Sequence, residues 1–101
     1  MKITRKNNNE ATITPDGKID ISNSHELKQN LLTLYDEGVS NITIDFTNVI
    51  SIDSSGLGKL LLFQKKLKER NGELRVVNIT SDYVKKMFTM IHLDKVIKIE
   101  S

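Results

Sequence analysis

The chain has no cysteine, which excludes a disulfide framework and any metal site built on thiolates. It has no long hydrophobic run either. Nothing approaches the ~20 apolar residues needed to cross a bilayer, and Met1 to Glu10 is polar, without a secretory signal region. The expectation is a soluble, cytoplasmic protein with no membrane partner. The Asn-x-Thr sequons at Asn41 and Asn78 then read as chance matches. An excess of one charge is also missing. The formal net charge is +2, with no long basic run, so nothing calls for nucleic acid. Histidine is scarce. His25 and His92 fall in or beside expected helices, and their spacing suggests neither a metal set nor a general base.

The templates of common enzymes also fail. A serine nucleophile elbow needs glycine two residues before the serine; here Ile52 precedes Ser54 and Asp53 precedes Ser55 at that spacing. A P-loop needs an earlier glycine and a hydroxyl after its Gly-Lys pair. Around Gly58-Lys59 those places hold Asp53 and Leu60, and a carboxylate there would repel nucleotide phosphates. No catalytic residue, metal or cofactor is expected.

What remains is 101 residues, 38% hydrophobic and 28% charged, enough for one domain over residues 1–101 with one core. Lys2 to Arg5 and Glu10 to Thr14 read as strands around the polar turn Asn7-Asn8-Asn9. Pro15-Asp16-Gly17 marks a turn or bulge before Lys18-Ile19-Asp20-Ile21. Ser22, Asn23 and Ser24 all suit an N-cap; Leu27, Leu31, Leu34 and Tyr35 then recur at helical spacing, and Gly38 is a natural stop. Asn41 to Phe46 alternates, which places Ile42, Ile44 and Phe46 on one face of a strand. A second helix is expected from about Ser55 to Asn71-Gly72, apolar at first and basic from Lys65 to Arg70; the basic end reads as a solvated face that complements the helix dipole. Leu74 to Val77 is a strand, Ser81 or Asp82 caps a third helix, and Val96 to Ile99 is a closing strand. The order β-β-α-β-α-β-α-β argues for an α/β domain: a mixed sheet with helices packed against it.

Between the central strand and the second helix stands Ile52-Asp53-Ser54-Ser55-Gly56-Leu57-Gly58. The first turn of a helix has backbone N–H groups without intrahelical partners, and its dipole favours negative charge. A phosphoserine would suit that position and could control a binding surface. Plain N-capping by Asp53 or a serine, with Gly56 easing the turn, accounts for the same residues about as well.

Asp53-Ser54-Ser55-Gly56-Leu57-Gly58 resembles the phosphorylation motif of bacterial anti-sigma factor antagonists, the anti-anti-sigma proteins of the STAS domain class. The resemblance extends in register to Gly17-Lys18-Ile19-Asp20, Ile42-Thr43-Ile44-Asp45-Phe46, Gly72-Glu73-Leu74 and Val84-Lys85-Lys86-Met87-Phe88. It implies that a serine kinase, itself the anti-sigma factor, phosphorylates the second serine, Ser55. The unphosphorylated protein would bind that kinase and free a sigma factor. Phosphorylation would end the complex, and a metal-dependent phosphatase would reset it. Asp20, Ser22, Asp53, Ser54, Gly56 and Leu57 would border the partner surface, with Asp20 near the phosphoserine and Asp53 shaping the loop. ATP and magnesium would serve the kinase, and the free chain would be a monomer without a cofactor. A scaffold of the same fold with a target other than a sigma factor, or a module that binds nucleotide or a small anion, are the alternatives.

The chain departs from the family in three places. Pro15 replaces an apolar strand residue, so the second strand should bulge or lie at an edge there. His92 stands where the third helix often ends in glycine, which would strain a left-handed backbone by about 1 kcal/mol. Many relatives also continue into a helix after the last strand.

Overall fold

Alternation of polar and apolar residues from Asn41 to Asp45 becomes a strand in the computed structural model, which describes residues 1–100, and Ile42 and Ile44 are fully buried. In chain order the elements are β1 (Lys2–Asn7), β2 (Glu10–Thr14), β3 (Gly17–Ile19), α1 (Ser24–Asp36), β4 (Asn41–Asp45), β5 (Val49–Ile52), α2 (Ser54–Lys68), β6 (Glu73–Val77), α3 (Asp82–Met90), a 3₁₀ turn at Leu93–Lys95, and β7 (Lys98–Glu100).

Five strands form the main sheet in the order β1-β2-β4-β6-β7; β1 and β2 are an antiparallel hairpin, and every other neighbour is parallel. The sheet buries one face. Ala11 and Ile13, Ile42 and Ile44, and Leu74 and Val76 point into the core, while Thr12, Thr43 and Arg75 lie on the half-open face. Helix periodicity supplies the other side of the core through Leu27, Leu31 and Leu34 of α1, Leu60, Phe63 and Leu67 of α2, and Val84 and Phe88 of α3. Phe88 packs on Phe46 with ring centroids 5.8 Å apart.

The order expected from the sequence lacks two strands. β3 and β5 form a second, two-stranded parallel sheet, in which Ile19 lies opposite Ile52. The central strand therefore does not feed α2 directly: it ends at Asp45, turns through Thr47, and continues as β5. Segments this short carry too little periodicity to register, and their pairing joins residues about thirty positions apart.

Three smaller expectations change. Pro15 neither bulges β2 nor puts it at an edge. β2 lies between β1 and β4 and ends at Thr14, so Pro15 sits buried where the chain leaves one sheet for the other and no ladder N–H is lost. The last strand begins at Lys98 rather than Val96, because the 3₁₀ turn consumes Leu93 to Lys95. α2 stops at Lys68, and Asn71 then takes the left-handed conformation at φ 63°. His92 is left-handed, at φ 53°, so the condition for strain at that position is met.

Candidate functional site

The two-stranded sheet decides where the site lies. Because Ile19 and Ile52 are paired and the Asp53 N–H donates to the Ile19 carbonyl at 2.9 Å, the turns leaving β3 and β5 emerge side by side. The first turn contains Asp20, Ile21 and Ser22 and leads to α1. The second contains Asp53 and opens α2.

Each turn is closed in the same way. Asp53 Oδ1 accepts the Ser55 N–H at 2.9 Å, the Gly56 N–H at 3.1 Å and the Ser55 hydroxyl at 2.5 Å. Asp20 Oδ1 accepts the Ser22 N–H at 2.9 Å and the Ser22 hydroxyl at 2.5 Å. A third copy stands at the end of β4, where Asp45 Oδ1 accepts the Thr47 N–H and hydroxyl at 2.9 and 2.6 Å. Sequence reasoning missed this repetition, although its signal was present: Ile19-Asp20-Ile21-Ser22, Ile44-Asp45-Phe46-Thr47 and Ile52-Asp53-Ser54-Ser55 share the pattern Ile-Asp-x-Ser/Thr.

Asp53 is thus the N-cap of α2, which places Ser54 and Ser55 in its first turn. This corrects the idea of a ready-made anion site. Two of the first-turn amides are already bonded to the Asp53 carboxylate, and the Leu57 N–H donates to the Asp53 carbonyl at 3.0 Å. The Ser55 hydroxyl beside Asp53 holds that carboxyl below its ordinary range, with help from the Gly56 N–H; slight desolvation opposes, and the Ser55 and Ile21 N–H groups add to the lowering.

Asp53 and Ser54 are exposed, and Ser55, Asp20 and Leu57 are half-buried. Ser22 is exposed on the neighbouring turn. Gly56 is buried: a Cβ there would lie 2.5 Å from Ile19 Cγ2 and 3.0 Å from Ile52 Cγ1. Its backbone rests on the β3–β5 pair, so it shapes the site from beneath rather than lining it. Ile21, 84% exposed beside Asp53, is an apolar side chain at the rim that sequence reasoning did not single out. At α1 one of the three expected residues takes the cap position, without capping through its side chain. Asn23 occupies the N-cap position, but its Oδ1 accepts the Asp20 N–H and its Nδ2 donates to the Lys18 carbonyl, which rigidifies the Asp20 turn.

The basic end of α2 is not uniformly a solvated face. One Arg70 amino group donates to the carbonyls of Tyr35 at 2.5 Å and Val39 at 3.1 Å, and the guanidinium stacks 3.5 Å over the Tyr35 ring. Arg70 therefore clamps the C-terminus of α1. Among the described residues no cluster of three or more His, Cys, Asp or Glu side chains could hold a metal, and no helix is long and apolar enough to cross a membrane.

Fold and site together define a small α/β domain that presents a carboxylate-bound serine at a helix N-terminus, on a mixed sheet. The chain belongs to the STAS domain family, whose model matches residues 1–101. Over 97 residues it is 27% identical to the anti-sigma-B factor antagonist of Bacillus subtilis (strain 168), spanning 96% of this chain and 87% of that protein. A crystal structure of a candidate anti-sigma factor antagonist from Thermotoga maritima shares the fold with a TM-score of 0.89 at 22% identity, over 99% of this chain and 85% of that one. The Bacillus anti-sigma factor antagonist SpoIIAA shares it in its unphosphorylated form, with a TM-score of 0.84 at 21% identity over 99% of this chain and 87% of that one. Its phosphorylated form gives 0.76 at 21% identity, over 99% and 90%.

Proposed function

We propose that this chain is a phosphorylation-controlled antagonist of an anti-sigma factor. The observation that carries the reading is the placement of Ser55: first turn of α2, hydroxyl on Asp53, beside the Asp20–Ser22 turn, in a STAS domain. The likeness to the Bacillus subtilis anti-sigma-B factor antagonist supports the target class. The unphosphorylated protein binds a serine kinase that is also the anti-sigma factor, and so releases a sigma factor. Asp20, Ser22, Asp53, Ser54 and Leu57 border the contact surface, and Gly56 supports it. The kinase brings ATP and magnesium. This chain acts as substrate and binding partner rather than as an enzyme, in the cytoplasm, as a monomer when free, and a metal-dependent phosphatase restores it.

Ser55 Oγ attacks the γ-phosphorus of ATP, ADP leaves, and the hydroxyl proton is lost. The ester oxygen can no longer donate to Asp53 Oδ1. A hydrogen bond becomes a repulsion between the carboxylate and a group carrying about −1.5 to −2 charge. The formal +2 of the chain falls to about zero. A hundredfold loss of partner affinity needs about 2.8 kcal/mol, within reach of a phosphate set against a surface built for a neutral serine. No refolding is needed, and SpoIIAA keeps this fold in its unphosphorylated and phosphorylated forms.

The test is intact mass after incubation with the host's anti-sigma kinase and ATP. The wild type gains one phosphate and Ser55→Ala gains none. If the kinase is active on another substrate yet leaves the wild type unmodified, the reading fails and a non-phosphorylated scaffold takes its place.

A further inference from the structure

At the far end of α2 from Ser55, a shallow cavity of about 410 Å³ lies between α2 and the 3₁₀ turn, lined by Leu61, Gln64, Lys65, Lys68, Lys95 and Val96. The four α2 residues recur at i, i+3, i+4 and i+7, so they form one stripe along the helix. Gln64 turns inward, where its Oε1 accepts the Leu74 N–H at 3.0 Å. The rest of the stripe faces outward. Leu61 and Val96 remain 37% and 55% exposed, an apolar floor with nothing of this chain upon it.

Complementing the helix dipole explains lysines near the end of α2 but not their convergence with a lysine from another element. Lys65, Lys68 and Lys95 meet at this one groove, and none forms an ion pair among the described residues. On the other side of the helix Lys66 and, just past its end, Arg70 do have a partner, since both lie over the Tyr35 ring. Asp94, next to Lys95 in sequence, lines a separate cavity against α3.

We propose that this groove docks an acidic segment of a partner protein, with one apolar side chain of that segment seated between Leu61 and Val96 and its carboxylates on the three lysines. The docking is independent of Ser55 and of the switch reading. Ten to thirteen residues of helix separate Ser55 from Lys65 and Lys68, roughly 15–20 Å at 1.5 Å per residue. The Debye length at physiological ionic strength is about 8 Å, so a phosphate at Ser55 is screened from the groove.

The experiment is fluorescence anisotropy of the full chain with a short fluorescein-labelled peptide of glutamates flanking one leucine. Binding that weakens as salt rises is expected. Lys65→Glu and Lys95→Glu each weaken it about tenfold, and Lys95→Gln weakens it less but in the same direction. Lys86→Glu, an equal charge change on α3, and Ser55→Asp both stay within about twofold. Replacing the peptide's leucine by serine weakens binding at least threefold. Circular dichroism checks that each variant is folded. The proposal is overturned if millimolar peptide gives no signal, if Lys86→Glu weakens binding as much as Lys95→Glu, if the leucine is immaterial, or if only phosphatidylglycerol vesicles bind.

Discussion

Gly56 and Ile19 touch so closely that a single methyl group at position 56 would come within 2.5 Å of Ile19 Cγ2. Ile19 is fully buried and β-branched, so it has little room to yield. The first turn of α2 is thereby pressed onto the β3–β5 pair, which aims Ser55 outward. Gly56→Ala should lower stability by about 1–3 kcal/mol through overpacking. Gly58, two residues on, has open space where its Cβ would be. Gly58→Ala should raise stability by about 0.5–1 kcal/mol. Urea unfolding of the two variants checks the opposite signs.

The cap at Asp53 separates geometry from charge. Asparagine can accept the same amide hydrogen bonds, whereas alanine cannot. Asp53→Ala should lower Tm by roughly 4–8 °C, about what one lost cap costs a domain of this size, while Asp53→Asn stays within a few degrees at neutral pH. Thermal melts decide it; equal losses in both variants would mean that the negative charge matters more than the cap.

Acid should weaken the fold in a defined window. The Ser55 hydroxyl and Gly56 N–H hold Asp53 below its ordinary 3.8, and the Arg5 guanidinium holds Glu37 below 4.5. Burial alone would raise Asp45, but hydrogen bonds from Thr47 and Asn78 outweigh it and hold that carboxyl low as well. A depressed folded pKa means that the unfolded chain takes up protons first as pH falls. The contribution is complete above the ordinary values and is lost as pH falls through about 4 toward the folded values. Urea midpoints should be level from pH 7 to pH 5 and drop by pH 3, with Asp53→Asn losing less than the wild type.

Arg70→Met keeps most of the apolar stem and removes the two hydrogen bonds to the Tyr35 and Val39 carbonyls. The expected cost is about 1.5–3 kcal/mol, the range for bonds to a charged donor. Arg70→Lys should recover only part of it, since an ammonium cannot reproduce the planar stacking on Tyr35. Chemical denaturation of the pair is the measurement.

Under the proposed switch, Ser55→Ala should bind the kinase without release, and Ser55→Asp should bind about a hundredfold more weakly, near 2.8 kcal/mol. Calorimetric titration with the kinase gives both values. Equal affinities would remove charge at Ser55 as the control.

How far the sequence could be read depends on the range of the interactions involved. Leu27, Leu31 and Leu34 are all fully buried on one stripe of α1, and Ile42, Ile44 and Phe46 are buried together, as their spacings implied. Periodicity reports them because helix and strand geometry repeat over a few residues. β3 and β5 were not legible as a sheet, because three- and four-residue segments have no period to detect and stabilise each other only once paired. The Asp53 cap could be read as one of two options. That it takes the first-turn amides, instead of leaving them for an anion, depended on the side-chain geometry.

The sequence by itself determined the types of the longer elements, the core stripes of α1 and β4, the absence of cysteine chemistry and the resemblance around Ser55, all of which are matters of composition or local order. Tertiary structure alone decided that the Asp20 and Asp53 turns share one rim, that Arg70 reaches Tyr35 across 35 positions of chain, and that Lys95 joins Lys65 and Lys68 at one groove. The physical reason is that hydrophobic burial is non-directional and sets which faces meet, whereas hydrogen bonds and charge clusters depend on ångström-scale placement, which exists only after those faces have packed.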